Sequence, residues 1–314
     1  MWWIILLFAV GLFLIIKGGD LFVDAAVWIA EVTGIPKFII GATIVSLATT
    51  LPELCVSLIS VASGSVGMGI GNAVGSVICN IGLIMALSLL FMPGAIGRRE
   101  LLEKGFMMIS SGAVLFFTAA NGLLTNPEAI ILLALVVLYI ILNVNSVARN
   151  SRATRIQRRR FEAREAGGNT IKFVLGLGGI LWGAQLLVDN GALLARMAGI
   201  SEDIIGLTLI ALGTSLPELV TTLTALAKKE HNLSVGNIIG ANIIDLTLIL
   251  SACTFISPEG LMVSHQTLVM DIPVMMILMG IAIVPALLSG RFRRWQGVAL
   301  VAVYGGYIAK LMIG

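Results

Sequence analysis

Two glutamates stand inside otherwise apolar stretches of this chain. Glu53 follows Thr49, Thr50, Leu51 and Pro52, and Glu218 follows Thr214, Ser215, Leu216 and Pro217. One segment further on, Asn80 and Asp245 hold matching places behind GNAVGSVIC and GNIIGANII. Carboxylates, a carboxamide and the hydroxyls of Thr49, Thr50, Ser76, Thr214 and Ser215 are all hard oxygen donors. Gathered with backbone carbonyls they would make an all-oxygen shell, which suits Ca2+ with its roughly six to eight ligands at about 2.3–2.6 Å. Soft or borderline transition metals would want His or Cys. Cys79 beside Asn80 is read as packing, the usual role of a free cysteine. His231 and His265 fall in expected loops and are read as solvated.

Such donors need elements that hold them out of water, and the composition supplies those elements. The chain has 314 residues, 58% of them hydrophobic and 12% charged, with mean hydropathy +1.03. That leaves too few ionisable groups to coat a soluble globule, so an all-α integral membrane protein is expected. Apolar runs near the roughly 20 residues that a spanning helix needs are placed at 2–18, 36–62, 68–92, 105–121, 127–147, 171–190, 201–227, 234–257, 267–289 and 295–313. The first has no basic leader or small-residue cleavage site and is expected to be retained. The three cysteines lie within these runs, are odd in number and form no CxxC pair, which argues against a disulfide framework or a zinc site.

Eighteen of the twenty Lys and Arg fall on one side if the N-terminus is outside. The positive-inside rule then puts both termini outside and the basic stretch 148–170 in the cytoplasm. That stretch reads as an orientation anchor, or more sharply as a site for anionic lipid. The localisation expected is a prokaryotic cytoplasmic membrane, crossed many times, with membrane lipid as the surrounding partner. Neither nucleic acid nor an obligate protein partner is implied.

Residues 41–80 recur as 206–245 at a constant offset of 165, and Asp24, Gly34 and Ile35 fall on Asp189, Gly199 and Ile200 at the same offset. Whole halves are therefore duplicated: 1–147, the linker 148–170, and 171–314. Five spans separate equivalent points, and an odd number of crossings reverses direction. The expected architecture is two inverted five-helix repeats that meet at the bilayer midplane. Pro52 and Pro217 lack the N–H of a continuous helix, so each copy is expected to break there and free carbonyls toward a cation. Gly71, Asn72 and Gly75 match Gly236, Asn237 and Gly240. The glycines read as packing, and the asparagines as caps or cavity-lining groups.

An ionised carboxylate at the bilayer centre is costly by several kcal/mol, and no Lys or Arg lies deep in the two glutamate spans to offset it: Lys37 is at the entrance of one, and Lys228 and Lys229 are at the exit of the other. The counter-charge must come from solution. Two carboxylates balance one Ca2+ or two Na+, and ions that compete for shared carboxylates are coupled. If only loaded forms cross the barrier, the result is antiport. Asp245 would be a third carboxylate close to two others, and is expected to carry a proton in some loaded states.

These residues resemble the sodium/calcium exchanger branch of the calcium/cation antiporter superfamily, in a prokaryotic member. The two alpha repeats of that branch look like GATxxxxxTTLPEL…GNAVGSxxCN and GxTLxAxGTSLPEL…GNxIGxNIxD as they stand here. The resemblance implies Ca2+ liganded by Glu53 and Glu218 with carbonyl or hydroxyl oxygens of Thr49 and Thr214. It implies that Asn80 and Asp245 complete the centre, and that Ser76, Thr50 and Ser215 help to form flanking Na+ sites. It also implies a first and sixth helix that move as a gating pair. Secondary active exchange of Na+ for Ca2+ follows, with no catalysis and no cofactor.

One departure stands out: Ala241 occupies the place of Ser76, where the family often has a hydroxyl. Weaker Na+ binding there, fewer Na+ per turnover, or K+ or H+ as driving ion would follow. A Ca2+/H+ exchanger is the rival within transport. A channel is disfavoured by the inverted repeat. Enzymatic readings lack HExxH, GxSxG and a mid-membrane histidine.

Overall fold

A computed structural model of the chain describes residues 2–95, 97–153, 163–197 and 213–313. The protein is built almost wholly of helices. We number them α1 (Trp2–Thr33), α2 (Lys37–Thr49), α3 (Leu51–Ala62), α4 (Val66–Phe91), α5 (Arg98–Thr118), α6 (Asn126–Ala153), α7 (Ala163–Met197), α8 (Leu216–Ala227), α9 (His231–Ile256), α10 (Thr267–Ser289) and α11 (Arg294–Ile313). Among the described residues, seven helices are long and apolar enough to cross a membrane, and the pair α2–α3 makes an eighth broken span, bent by 41°. The first arm of the seventh expected span, near 201–212, lies outside the described residues.

The repeat seen in the sequence reappears in the helix boundaries. Both ends of α3 and α8, and both ends of α4 and α9, are 165 residues apart. Gly64, with φ +85°, turns the chain between α3 and α4, and its counterpart Lys229, with φ 61°, turns it between α8 and α9. A left-handed backbone suits glycine and strains lysine.

α4 and α9 form the interior, with 72% and 83% of their apolar stretches buried. α1 and α7 have only 22% buried, and they pack chiefly against each other. That pair meets backbone to backbone: a Cβ on Gly18 would lie 2.8 Å from the carbonyl oxygen of Gly176. α2 approaches α9 as closely, since a Cβ on Gly236 would strike the Phe38 carbonyl. Small residues are what permit such contacts within a membrane.

The connecting segments cross between the halves. Ala95, after α4, bridges Arg291, between α10 and α11, and Phe292 N donates to Gly94 O at 2.9 Å. Strand β1 (Leu123–Leu124), between α5 and α6, pairs antiparallel with β2 (Leu261–Met262), between α9 and α10, and Val263 N donates to Gly122 O at 2.9 Å.

Several expectations change here. His231 is not a solvated loop residue: it opens α9, is buried, and packs edge-on against Phe292 at 6.0 Å beside Gly94. The first expected helix, 2–18, continues to Thr33, because Asp20 and Asp24 find a cation in Lys228 and need not end the helix. α6 and α7 extend into the stretch 148–170, whose residues 154–162 lie outside the described set.

Candidate ion site

Each glutamate is placed by the same local device. The helix α2 stops at Thr49, and Thr50, with φ −82° and ψ 0°, stands at the break. Pro52 opens α3 and Glu53 stands in its first turn. In the second half, Ser215 has φ −84° and ψ 4°, Pro217 opens α8, and Glu218 takes the first turn. Proline fits this position because the first N–H groups of a helix have no intrahelical partner. A missing N–H at Pro52 and Pro217 also removes the donor that the carbonyls of Ala48 and Gly213 would use in a continuous helix. The glutamates sit where the helix dipole favours negative charge.

Asn80 and Asp245 are placed by a second device. Each opens a π-helical segment, Asn80–Met85 in α4 and Asp245–Ile249 in α9. Such widened turns occur frequently at functional sites. The two breaks and the two π segments bring donors from both halves together. Glu53, Glu218 and Asp245 are all but fully buried.

These acids are short of partners within the protein. Glu53 Oε1 and Oε2, Asp245 Oδ1 and Oδ2, Glu218 Oε2, Asn80 Oδ1 and Ser215 Oγ are buried with no hydrogen bond. Leaving one such group unmet costs about 1–3 kcal/mol, more if charged, so a cation or a proton fits this donor set. Among the described residues, no group of three or more His, Cys, Asp or Glu makes a ready metal cage. A cation here would therefore take neutral oxygens beside the carboxylates.

The remaining expected residues fall into two groups. Thr50 Oγ1 donates to Ser46 O at 2.6 Å and reaches Glu218 Oε1 of the other half at 3.4 Å. Thr49 Oγ1 lies 3.3 Å from Asn237 Oδ1, so its hydroxyl is engaged and its carbonyl is the oxygen left to offer. Thr214 Oγ1 lies 3.5 Å from Asn72 Oδ1. Ser76 is buried beside a cavity of about 140 Å³ lined also by Asn72, Cys79 and Tyr304. A second cavity of about 290 Å³ runs between the breaks and α7, lined by Pro52, Thr214, Pro217, Gln185 and Asp189.

Sequence reasoning left out several neighbours. Asn80 Nδ2 donates to Asn242 Oδ1 at 3.2 Å, and Asn242 has no polar counterpart at Val77. Ser57 and Thr222 are a matched pair of fully buried hydroxyls one turn beyond the glutamates, a signal already present at the offset of 165. Lys104 is a buried cation 5.3 Å from the Tyr139 ring, and the Tyr139 hydroxyl donates to the carbonyl of Ala42 in α2. Nothing in the spacing marks Lys104 as interior.

Lys228, at the end of α8, ties α1 on one face: its Nζ is 2.6 Å from Asp24 Oδ1, 3.1 Å from Asp20 O and 3.6 Å from Asp20 Oδ1. Lys37 and Glu230 pair at 2.6 Å. At the repeat positions the pattern differs: Ser63 replaces Lys228, and Asp189 accepts from Gln185 Nε2 of its own helix at 2.9 Å.

The chain is similar to known proteins along nearly its whole length. The family model described as sodium/calcium exchanger protein matches residues 3–145 and 169–312. The sodium/calcium exchanger MaX1 of Methanosarcina acetivorans is 30% identical, over 98% of this chain and 97% of its own. The inner membrane protein YrbG of Escherichia coli is 35% identical, over 97% of this chain and 94% of its own. A solved structure of the sodium-calcium exchanger NCX_Mj, soaked with 2.5 mM Na+ and 10 mM Sr2+, superposes with a TM-score of 0.83 at 29% identity, over 98% of this chain and 99% of that one.

Proposed function

The chain belongs to the sodium/calcium exchanger family, and from that premise we propose that it exchanges Na+ for Ca2+ by alternating access at one shared carboxylate site. It is a multi-pass integral membrane transporter with bacterial and archaeal relatives, not an enzyme. The single observation that carries the site is the set of buried, unpartnered oxygens on Glu53, Glu218, Asp245, Asn80 and Ser215.

In this reading Glu53 and Glu218 neutralise Ca2+, and carbonyls at Thr49 and Thr214 complete its shell with Asn80 and Asp245. Thr50, Ser215 and Ser76 serve flanking Na+. Asp245 carries a proton in some loaded states. Na+ and Ca2+ exclude each other because both need the glutamates, and an empty, charged site does not cross the barrier.

Ten spanning helices in two inverted repeats, 1–147 and 171–314, with both termini outside, are part of the same proposal. The equal helix spacing and the crosswise pairing of connections support it. α1 and α7 then move as one pair over the fixed interior, as their mutual packing supports. Ala241, buried at the position that matches Ser76 in the repeat, leaves a flanking site one side-chain ligand short and favours a second reading, Ca2+ exchange driven by H+ or assisted by K+.

Uptake of 45Ca2+ into proteoliposomes loaded with Na+, against vesicles loaded with K+ or choline or bearing only a pH gradient, tests both. Uptake driven by internal Na+ and lost in Glu53→Ala or Glu218→Ala supports the proposal. Uptake driven by the pH gradient alone overturns Na+ coupling in favour of the second reading.

A further inference from the structure

Asn72 and Asn237 are matched at the offset of 165, and so are Thr49 and Thr214. The structure pairs them crosswise: Asn237 of the second half accepts from Thr49 of the first at 3.3 Å, and Asn72 of the first accepts from Thr214 of the second at 3.5 Å. The same contact is thus made twice with the halves exchanged. Each threonine is at or beside a helix break, so each asparagine reads the other half's break. Thr49 and Thr50 are consecutive, and they reach across to Asn237 and Glu218. One break therefore touches the opposite half at two points.

The other end of each amide separates the two copies. Asn72 Nδ2 donates to Ser57 Oγ at 2.9 Å and to Glu53 O at 3.3 Å, which fixes α4 to the backbone of the glutamate helix. Asn237 Nδ2 and Thr222 Oγ1 are the counterparts, and both are buried without a partner. The clasp is complete in one half and half-made in the other. In an inverted repeat that alternates, the two halves exchange environments, so the unmade bond belongs to the opposite access state.

We propose that Asn72 and Asn237 are positioning residues, a reciprocal clasp that holds each half's helix break in register with the other half and thereby sets the spacing of the carboxylates. The clasp rests on the exchange reading for its consequence in transport but not for its existence.

The test is a pair of double-mutant cycles on the full chain: Asn237→Ala with Thr49→Val, and Asn72→Ala with Thr214→Val. Two readouts are taken, Na+-driven 45Ca2+ uptake and the unfolding midpoint. Each single variant is expected to raise the apparent KM for Ca2+ several-fold with less change in maximal rate. Each double is expected to be no worse than the poorer single, a coupling of about two- to tenfold, the range of one hydrogen bond. Thr49→Ser and Thr214→Ser, which keep the hydroxyl, should raise KM far less than the corresponding valine variants. Effects that multiply across each cycle, or a loss of rate with KM unchanged, overturn the clasp. A wild type that carries no Ca2+ overturns the exchange reading instead. The clasp is then judged by the unfolding midpoints, where additivity in both cycles refutes it.

Discussion

Neutralising Lys228 should free α1 on one face of the protein. In Lys228→Met the apolar stem stays, and what is lost is the ammonium that touches Asp24 Oδ1 at 2.6 Å, Asp20 O at 3.1 Å and Asp20 Oδ1 at 3.6 Å. The lysine side chain is 26% exposed and its carboxylate partners are 51% and 46% exposed, so solvent screens the pairs heavily. Exposed pairs are each worth about 0.2–1 kcal/mol. Two pairs that share one cation come to about 1 kcal/mol, which is about a fivefold change in a two-state population. Hydrogen exchange of the α1 segment 16–24, measured by mass spectrometry, should therefore quicken by about two- to fivefold. The apparent KM for Ca2+ on the face bearing Lys228 should fall in oriented vesicles, and the difference from wild type should shrink in high choline chloride, which screens exposed charges. Restoring the pair by Lys228→Asp with Asp24→Lys should recover part of the effect. Unchanged exchange in α1, or a change that ignores ionic strength, would refute the reasoning that this pair holds α1 shut.

Four further outcomes are expected. Glu53→Gln or Glu218→Gln should weaken 45Ca2+ binding at equilibrium by more than about 100-fold, since removing one partner of a buried charge pair costs about 3–5 kcal/mol. Ala241→Ser adds a hydroxyl that can bond back along α9 when no ion is present, so stability should hardly move. The apparent Na+ affinity should nevertheless rise in a Na+ titration of 45Ca2+ uptake, and an unchanged affinity would remove the case for a lost ligand. Lys229→Gly relieves a left-handed lysine and should raise the unfolding midpoint by about 2 °C, from a strain of about 1 kcal/mol, whereas Gly236→Ala should lower it sharply through the Phe38 carbonyl.

What the sequence revealed depended on repetition. The ends of α3, α4, α8 and α9 follow the offset of 165, because the same proline and glycine signals recur in each copy. Glu53 and Glu218 were legible for the same reason, and because a charge in an apolar run must be explained. Where a partner lies far along the chain, legibility ended. Asp20 and Asp24 look like the end of a helix until Lys228, about 200 residues away, is seen to meet them. His231 looks like a loop residue until Gly94 and Phe292 close over it. The asparagines showed only as small polar residues, since the contacts that give them meaning run between halves and leave no local periodicity. Ser76 was grouped with the other hydroxyls by its place in the motif, and nothing in its spacing showed that it lines a cavity together with Asn72 and Tyr304.

The crosswise bridges bear on how such a chain comes to be made. Leu123 pairs with Met262 and Ala95 with Arg291, so segments of the first half find their strand partners only after most of the second half has emerged. During synthesis the early segments at Gly94 and Gly122 lack their strand partners for as long as the ribosome takes to make those later residues. A half expressed alone should stay dependent on membrane chaperones and be degraded. Two halves cut within 154–162 and co-expressed should each rescue the other, because the missing strand partner can arrive on a separate chain.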